Sequence, residues 1–107
     1  MKFLVSPTAT EDILNAIDWN IQHNRLTTAR GLWKAWEQAL QRIEEHPTRY
    51  PRLETNPTKM DVREFLIRRY RLRVFYEVRV KEVEVLAAIS TWFDETTIAT
   101  RLRSPNG

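Results

Sequence analysis

Apolar residues return along this chain with two different periods, and the change of period divides it. Between residues 7 and 46 they recur every three or four positions, the spacing that lines one side of a helix. Ile13, Ala16, Ile17 and Ile21 form the first such stripe, with Trp19 almost opposite it. Ser6-Pro7 offers a start: a capping hydroxyl, then a residue whose missing N–H costs nothing in the first turn. Thr8, with Glu11 three residues on, offers another as a capping box. This helix ends near His23-Asn24. A second stripe, Ala29, Leu32, Trp33, Trp36, Ala39, Leu40 and Ile43, predicts a longer helix that begins at Thr27 or Thr28 and buries both tryptophans. It closes at His46-Pro47, because the residue before proline is pushed out of helical dihedrals. Lys34, Gln38, Gln41, Arg42 and Glu45 occupy its polar side. So short a link makes the two helices an antiparallel hairpin.

From residue 62 the period falls to two, and strands are predicted at 62–68, 72–80 and 83–90, after a short opening strand at 3–5. On the second of the three, Leu72, Val74, Tyr76 and Val78 point one way while Arg71, Arg73, Phe75, Glu77 and Arg79 point the other. The third places Val83, Val85, Ala87 and Ile89 on one face, after a tight turn around Lys81-Glu82. Residues 47–61, with three prolines and no helical period, connect helix to sheet. The tail holds Trp92 and Phe93 and a predicted short helix from 94 to 102. The order is an N-terminal strand, a helical hairpin and a three-stranded antiparallel meander. It predicts an α+β fold with the helices packed on one face of the sheet. At 107 residues this is one domain with a modest core.

Charge sharpens the picture. Of 17 cations, 13 are arginine, and seven cations fall between Arg63 and Lys81 against two acids, Glu64 and Glu77. Guanidinium offers a fixed fork of donors, so this cluster predicts an anionic partner although the net charge is only +3. Tyr70, within the Arg-rich turn, is the tyrosine placed to act; Tyr76, between Val74 and Val78, belongs to the core. Trp19, off the core stripe, is either a partly covered surface residue or a binding anchor. There is no cysteine, so thiol chemistry is excluded and a reducing compartment fits. The apolar opening is too short for a signal segment and no run approaches membrane-spanning length, so a cytoplasmic protein is expected. His23 and His46 each end a helix without an acid–histidine pairing, and Gly31 and Gly107 are the only glycines. Neither a metal site nor a phosphate loop is suggested, and no cofactor is expected.

Several short motifs occur in a familiar order. Ser6-Pro7-Thr8-Ala9-Thr10-Glu11-Asp12-Ile13 is similar to a Ser-x-x-Ala-x-x-Asp opening; Ile43 to Pro47 matches Ile-x-x-x-Pro, followed by Tyr50-Pro51. Val62-Arg63-Glu64 and Arg73-Val74-Phe75-Tyr76-Glu77-Val78 are similar to Val-Arg-Glu … Tyr-Arg-x-x-Tyr-x-Val. With these, the chain resembles the RelE/ParE superfamily of bacterial toxin–antitoxin toxins, also called plasmid-stabilisation proteins, over about residues 2–90. RelE-type members are ribosome-dependent endoribonucleases. They use two strand lysines, the motif arginine, and an Arg and Tyr after the last strand. RNA cleavage needs such a set, to take the 2′-hydroxyl proton, stabilise the phosphorane and protonate the leaving oxygen. Here Arg73 matches the arginine, but the lysine positions align with Glu64 and Leu66. After the last strand the chain reads Ser90-Thr91-Trp92-Phe93-Asp94-Glu95 where basic residues are usual. ParE-type members share the fold, generally lack that set and inhibit DNA gyrase by binding it; the long helical hairpin is closer to theirs. The resemblance therefore implies a growth-arresting, ParE-like toxin that binds a target such as DNA gyrase and is neutralised by a cognate antitoxin, with which it forms an oligomer. Arg68, Arg69, Arg71, Arg73, Arg79 and Trp19 are the expected partner-binding residues. The alternatives are an mRNA endoribonuclease with a reorganised site built on Arg73, Tyr70 and Arg71, or a non-toxic binding module of the same fold.

Overall fold

The chain enters as β1 (Lys2–Val5) and turns at once into α1 (Pro7–Gln22). Of the two predicted starts, Ser6 is the cap used. Its Oγ accepts a hydrogen bond from the Ala9 N–H at 3.0 Å, and its own hydroxyl donates to the Leu86 carbonyl at 3.0 Å. This computed structural model describes residues 1–53 and 60–91; Trp92, Phe93 and the predicted tail helix lie outside them. Asn24, left-handed at φ 57°, turns the chain back, a conformation asparagine tolerates better than most residues. α2 (Leu26–Glu45) begins ahead of the predicted Thr27 or Thr28, with Arg25 at its N-cap and no side-chain cap bond. The link is too short for a new cap: the His23 and Arg25 N–H groups still donate to carbonyls of α1, and the chain re-enters a helix directly. α2 ends at Glu45, just before His46-Pro47.

β2 (Asp61–Ile67), β3 (Leu72–Val78) and β4 (Glu82–Ser90) form the antiparallel meander, and β1 joins it parallel to β4, giving the order β1-β4-β3-β2. The hairpin covers one face. Ile13, Leu32, Trp36 and Ile43 pack there against Val74, Tyr76, Val83 and Val85. The two tryptophans of α2 part company. Trp36 is 3% exposed, but Trp33 is 43% exposed. The line 32–36–39–43 is the true centre of the stripe, and Trp33 lies roughly a quarter of a turn to its side. Ile21, placed on the core stripe of α1 by its spacing, is likewise 46% exposed, on the flank of that helix.

A second correction concerns β4. Its register passes from Tyr76↔Val85 to Phe75↔Ala87, leaving Leu86 as an extra residue, a β-bulge. The alternation therefore inverts along the strand. Val83, Val85 and Ala88 face the helices, while Ala87 and Ile89 join Phe75 and Leu53 in a small cluster on the other side. No helix of the described residues is long and apolar enough to cross a membrane.

Candidate partner-binding site

The arginines that crowd together in the sequence separate into two environments. On the sheet face away from the helices, Arg73 lies beside Glu64 of the neighbouring strand and meets it twice, Nη2 to Oε1 at 2.7 Å and Nε to Oε2 at 3.0 Å. Its guanidinium also lies 5.1 Å over the Phe75 ring. Arg79 meets three carboxylates, Glu82 at 2.6 Å, Glu84 at 2.7 Å and Glu77 at 2.8 Å. Hydrogen bonds to Glu77 and Glu84 hold its pKa above the ordinary arginine value, against the opposing effect of burial. Glu77 and Glu84 are paired across β3 and β4, and Glu82 stands two residues further along. The sheet thus supplies the counterions of its own arginines. Arg63 lies on the other face, where it grips the loop after α2 through the Thr48 and Tyr50 carbonyls and pairs with Asp61 at 3.1 Å. Beside it the buried Tyr76 hydroxyl donates to the Pro47 carbonyl at 2.7 Å, and burial pushes its pKa well above the ordinary tyrosine value.

Arg68 and Arg69 are differently placed. After β2 the chain makes one 3-10 turn, Arg68–Tyr70, which Arg71 closes in the left-handed conformation at φ 51°. Arg71 therefore precedes β3 and does not share its face. The turn brings Arg68 and Arg69 to the mouth of a groove of about 560 Å³ between β2 and α2. Lys34, Gln38 and Arg42 line the opposite wall, and Phe65, Leu66 and Tyr70 are among the residues below. Four cations thus line one groove, and among the described residues no carboxylate does. Among those residues none of Lys34, Arg42, Arg68 and Arg69 has an acidic partner within 4 Å, whereas Arg52, Arg63, Arg73 and Arg79 each do. Arg69 lies 5.7 Å over the Tyr70 ring.

Gly31 makes this groove possible. A Cβ at that position would overlap the Tyr70 hydroxyl, so only glycine lets the tyrosine lie against α2. Sequence reasoning passed over Gly31 and treated Lys34, Gln38 and Arg42 as a solvated side of the helix. The signal was present in their spacing, i, i+4 and i+8, which makes a line along α2.

The residues proposed for RNA cleavage are not brought together. Tyr70 packs toward the helices, Arg73 projects from the opposite sheet face, and Arg71 stands at the turn. Trp19 is 48% exposed, as its position opposite the stripe of α1 predicts. It stacks on His23 at 3.9 Å, under the Arg25 guanidinium at 5.3 Å, far along the hairpin from the cationic groove. Among the described residues no group of histidine and acids is placed to hold a metal.

The profile of the family described as "ParE toxin of type II toxin-antitoxin system, parDE" matches residues 3–91, which takes in α1, α2, β2, β3, β4 and all of β1 but its first residue. The chain belongs to the ParE toxin family. A solved structure from the chromosomal ParDE TA system of P. aeruginosa is similar in fold, with a TM-score of 0.57 at 16% identity over 84% of this chain and 95% of that one. No curated protein sequence matches. In this ParE family member, Glu64 carries the carboxylate that holds Arg73.

Proposed function

We propose that this ParE-family toxin arrests bacterial growth by binding a protein target, DNA gyrase in the first instance, and that a cognate antitoxin silences it by laying an acidic segment in the groove between α2 and β2. The observation that carries the reading is the set of four cations around that groove with no carboxylate among its described lining. A like-charged cluster with no acidic partner among the described residues favours any segment that brings acids to it, and the apolar residues below suit hydrophobic side chains between those acids. Arg68 and Arg69 are the proposed anchors, with Lys34 and Arg42 opposite. Arg73 and Arg79 are held by the chain's own glutamates and take a supporting role, Arg71 stands at the groove's approach, and Trp19 remains a separate exposed anchor. Oligomerisation through the antitoxin follows from the same reading.

The test has two arms. Induction of the chain alone should stop growth, and co-expression of the antitoxin should restore it. Purified chain should inhibit supercoiling by gyrase and leave mRNA intact in a translating extract. Cleavage of mRNA with gyrase unaffected would replace the gyrase reading with the endoribonuclease one. Unimpaired growth with abundant folded protein would leave a binding module.

A further inference from the structure

The helical hairpin carries a second groove, of about 910 Å³, on the neighbouring flank of α2, sharing Gly31 and Lys34 with the first. Leu14, Ile17 and Ile21 of α1 line one side, and Leu26 and Trp33 of α2 the other. Four of these are large apolar side chains held in water: Leu26 is 55% exposed, Leu14 50%, Ile21 46% and Trp33 43%. Patches of this kind mark interaction surfaces.

The pattern on α2 says what would cover it. Leu26, Arg30, Trp33 and Glu37 all line the groove, spaced by four, three and four, the a/d rhythm of a seam between packed helices. The two charged positions are opposite in sign and sit on either side of Trp33. A two-fold axis beside Trp33 lays α2 antiparallel on a copy of itself. That places Arg30 of each copy against Glu37 of the other, with the two Trp33 rings together at the axis. An acidic partner helix would leave Glu37 opposed, and a basic one would leave Arg30 opposed. A self-related helix satisfies both at once, as an isologous interface requires.

We propose that this face is a homodimer interface, formed by antiparallel α2–α2 packing about Trp33 and flanked by Leu14 and Ile21 of α1. It does not rest on the antitoxin reading, since Leu26, Arg30, Trp33 and Glu37 lie outside the cationic groove.

Sedimentation equilibrium of the purified chain across micromolar to high-micromolar concentrations is the measurement. Wild type should form a reversible dimer, and Trp33→Glu should be monomeric with an unchanged circular dichroism spectrum. Arg30→Glu should raise the dimer Kd roughly tenfold, because the symmetry breaks two pairs at once. Adding Glu37→Arg should recover most of that loss. A wild-type monomer at every concentration overturns the proposal and assigns the face to a different protein. So does a dimer indifferent to Trp33→Glu, or a charge swap no better than Arg30→Glu alone.

Discussion

The outer sheet face and the groove beside α2 use the same residue to opposite ends. On the sheet, each arginine sits next to a strand whose register supplies glutamates: Glu64 for Arg73, and Glu77, Glu82 and Glu84 for Arg79. In the groove, Arg68 and Arg69 fall on a turn, with only Lys34, Gln38 and Arg42 facing them from the helix. The first set cross-links strands. The second has no acidic partner among the described residues. A run of arginines in a sequence therefore says little about surface potential until the pairing of its neighbours is known.

The sharpest way to break this comparison is to reverse the groove. Arg68→Glu/Arg69→Glu should weaken antitoxin binding by about 3–6 kcal/mol, since each bond to a charged group contributes about 1.5–3 kcal/mol. The same variant should keep its unfolding free energy within about 0.5 kcal/mol, as surface substitutions do. Calorimetric titration at two salt concentrations reads the first effect and denaturant unfolding the second. Retained affinity with a flat salt response would move the partner elsewhere.

Arg79→Ala should give the opposite result. Removing it strands Glu77, whose side chain is 7% exposed, between two other carboxylates. The expected loss of stability is about 2 kcal/mol, below the 3–5 kcal/mol of a fully buried pair because Arg79 itself is partly in water. Antitoxin affinity should be nearly unchanged. If affinity falls and stability does not, the two regions have been assigned the wrong way round.

Glu64→Gln sharpens the same point at lower cost, about 1 kcal/mol, since the amide keeps one hydrogen bond to Arg73 and loses the charge. If Arg73 then contributes to the partner, antitoxin affinity should rise slightly, and titration would detect it.

The smallest effect concerns Tyr76. A tyrosine whose pKa is raised by burial is favoured in its neutral form by folding, so its contribution is complete below the unfolded value and fades as pH rises past about 10. Tyr76→Phe should cost about 1 kcal/mol at neutral pH and flatten the stability profile above pH 10 or so. Thermal unfolding from neutral to alkaline pH follows both. Parallel profiles would show that another group sets the alkaline limit.

The parts of the molecule legible from the sequence were those governed by local period. The stripes of α1 and α2, the three strands and the helices-on-sheet arrangement follow from spacing alone, whereas Arg68 and Arg69 were grouped with Arg71, Arg73 and Arg79 as one cluster, with nothing to tell their environments apart. What escaped depended on contacts between distant residues. The inward turn of Ala88 rests on one extra residue at Leu86. The neutralisation of Arg79 rests on a cross-strand register, and the role of Gly31 on a tyrosine 39 positions away (70 − 31). Trp33 misled because a helical stripe has edges, and spacing alone does not say which residue lies on one.

The tie between Ser6 and the bulged strand bears on the order in which this chain acquires its shape. Among the described residues β1 pairs only with β4, and Ser6 bonds the carbonyl of Leu86, 80 residues later. The Ala88 N–H likewise donates to Asp12 on α1 at 2.9 Å. During synthesis the first strand therefore waits, unpaired, until the last has emerged. The helical hairpin meanwhile has no sheet on which to bury its stripe, a nascent state prone to association. Formation of β4 closes the sheet, satisfies the first turn of α1 and covers the hairpin in one late step. A lesion there, such as a truncation before residue 86, should therefore impair the folding of β1 and α1 along with that of the meander.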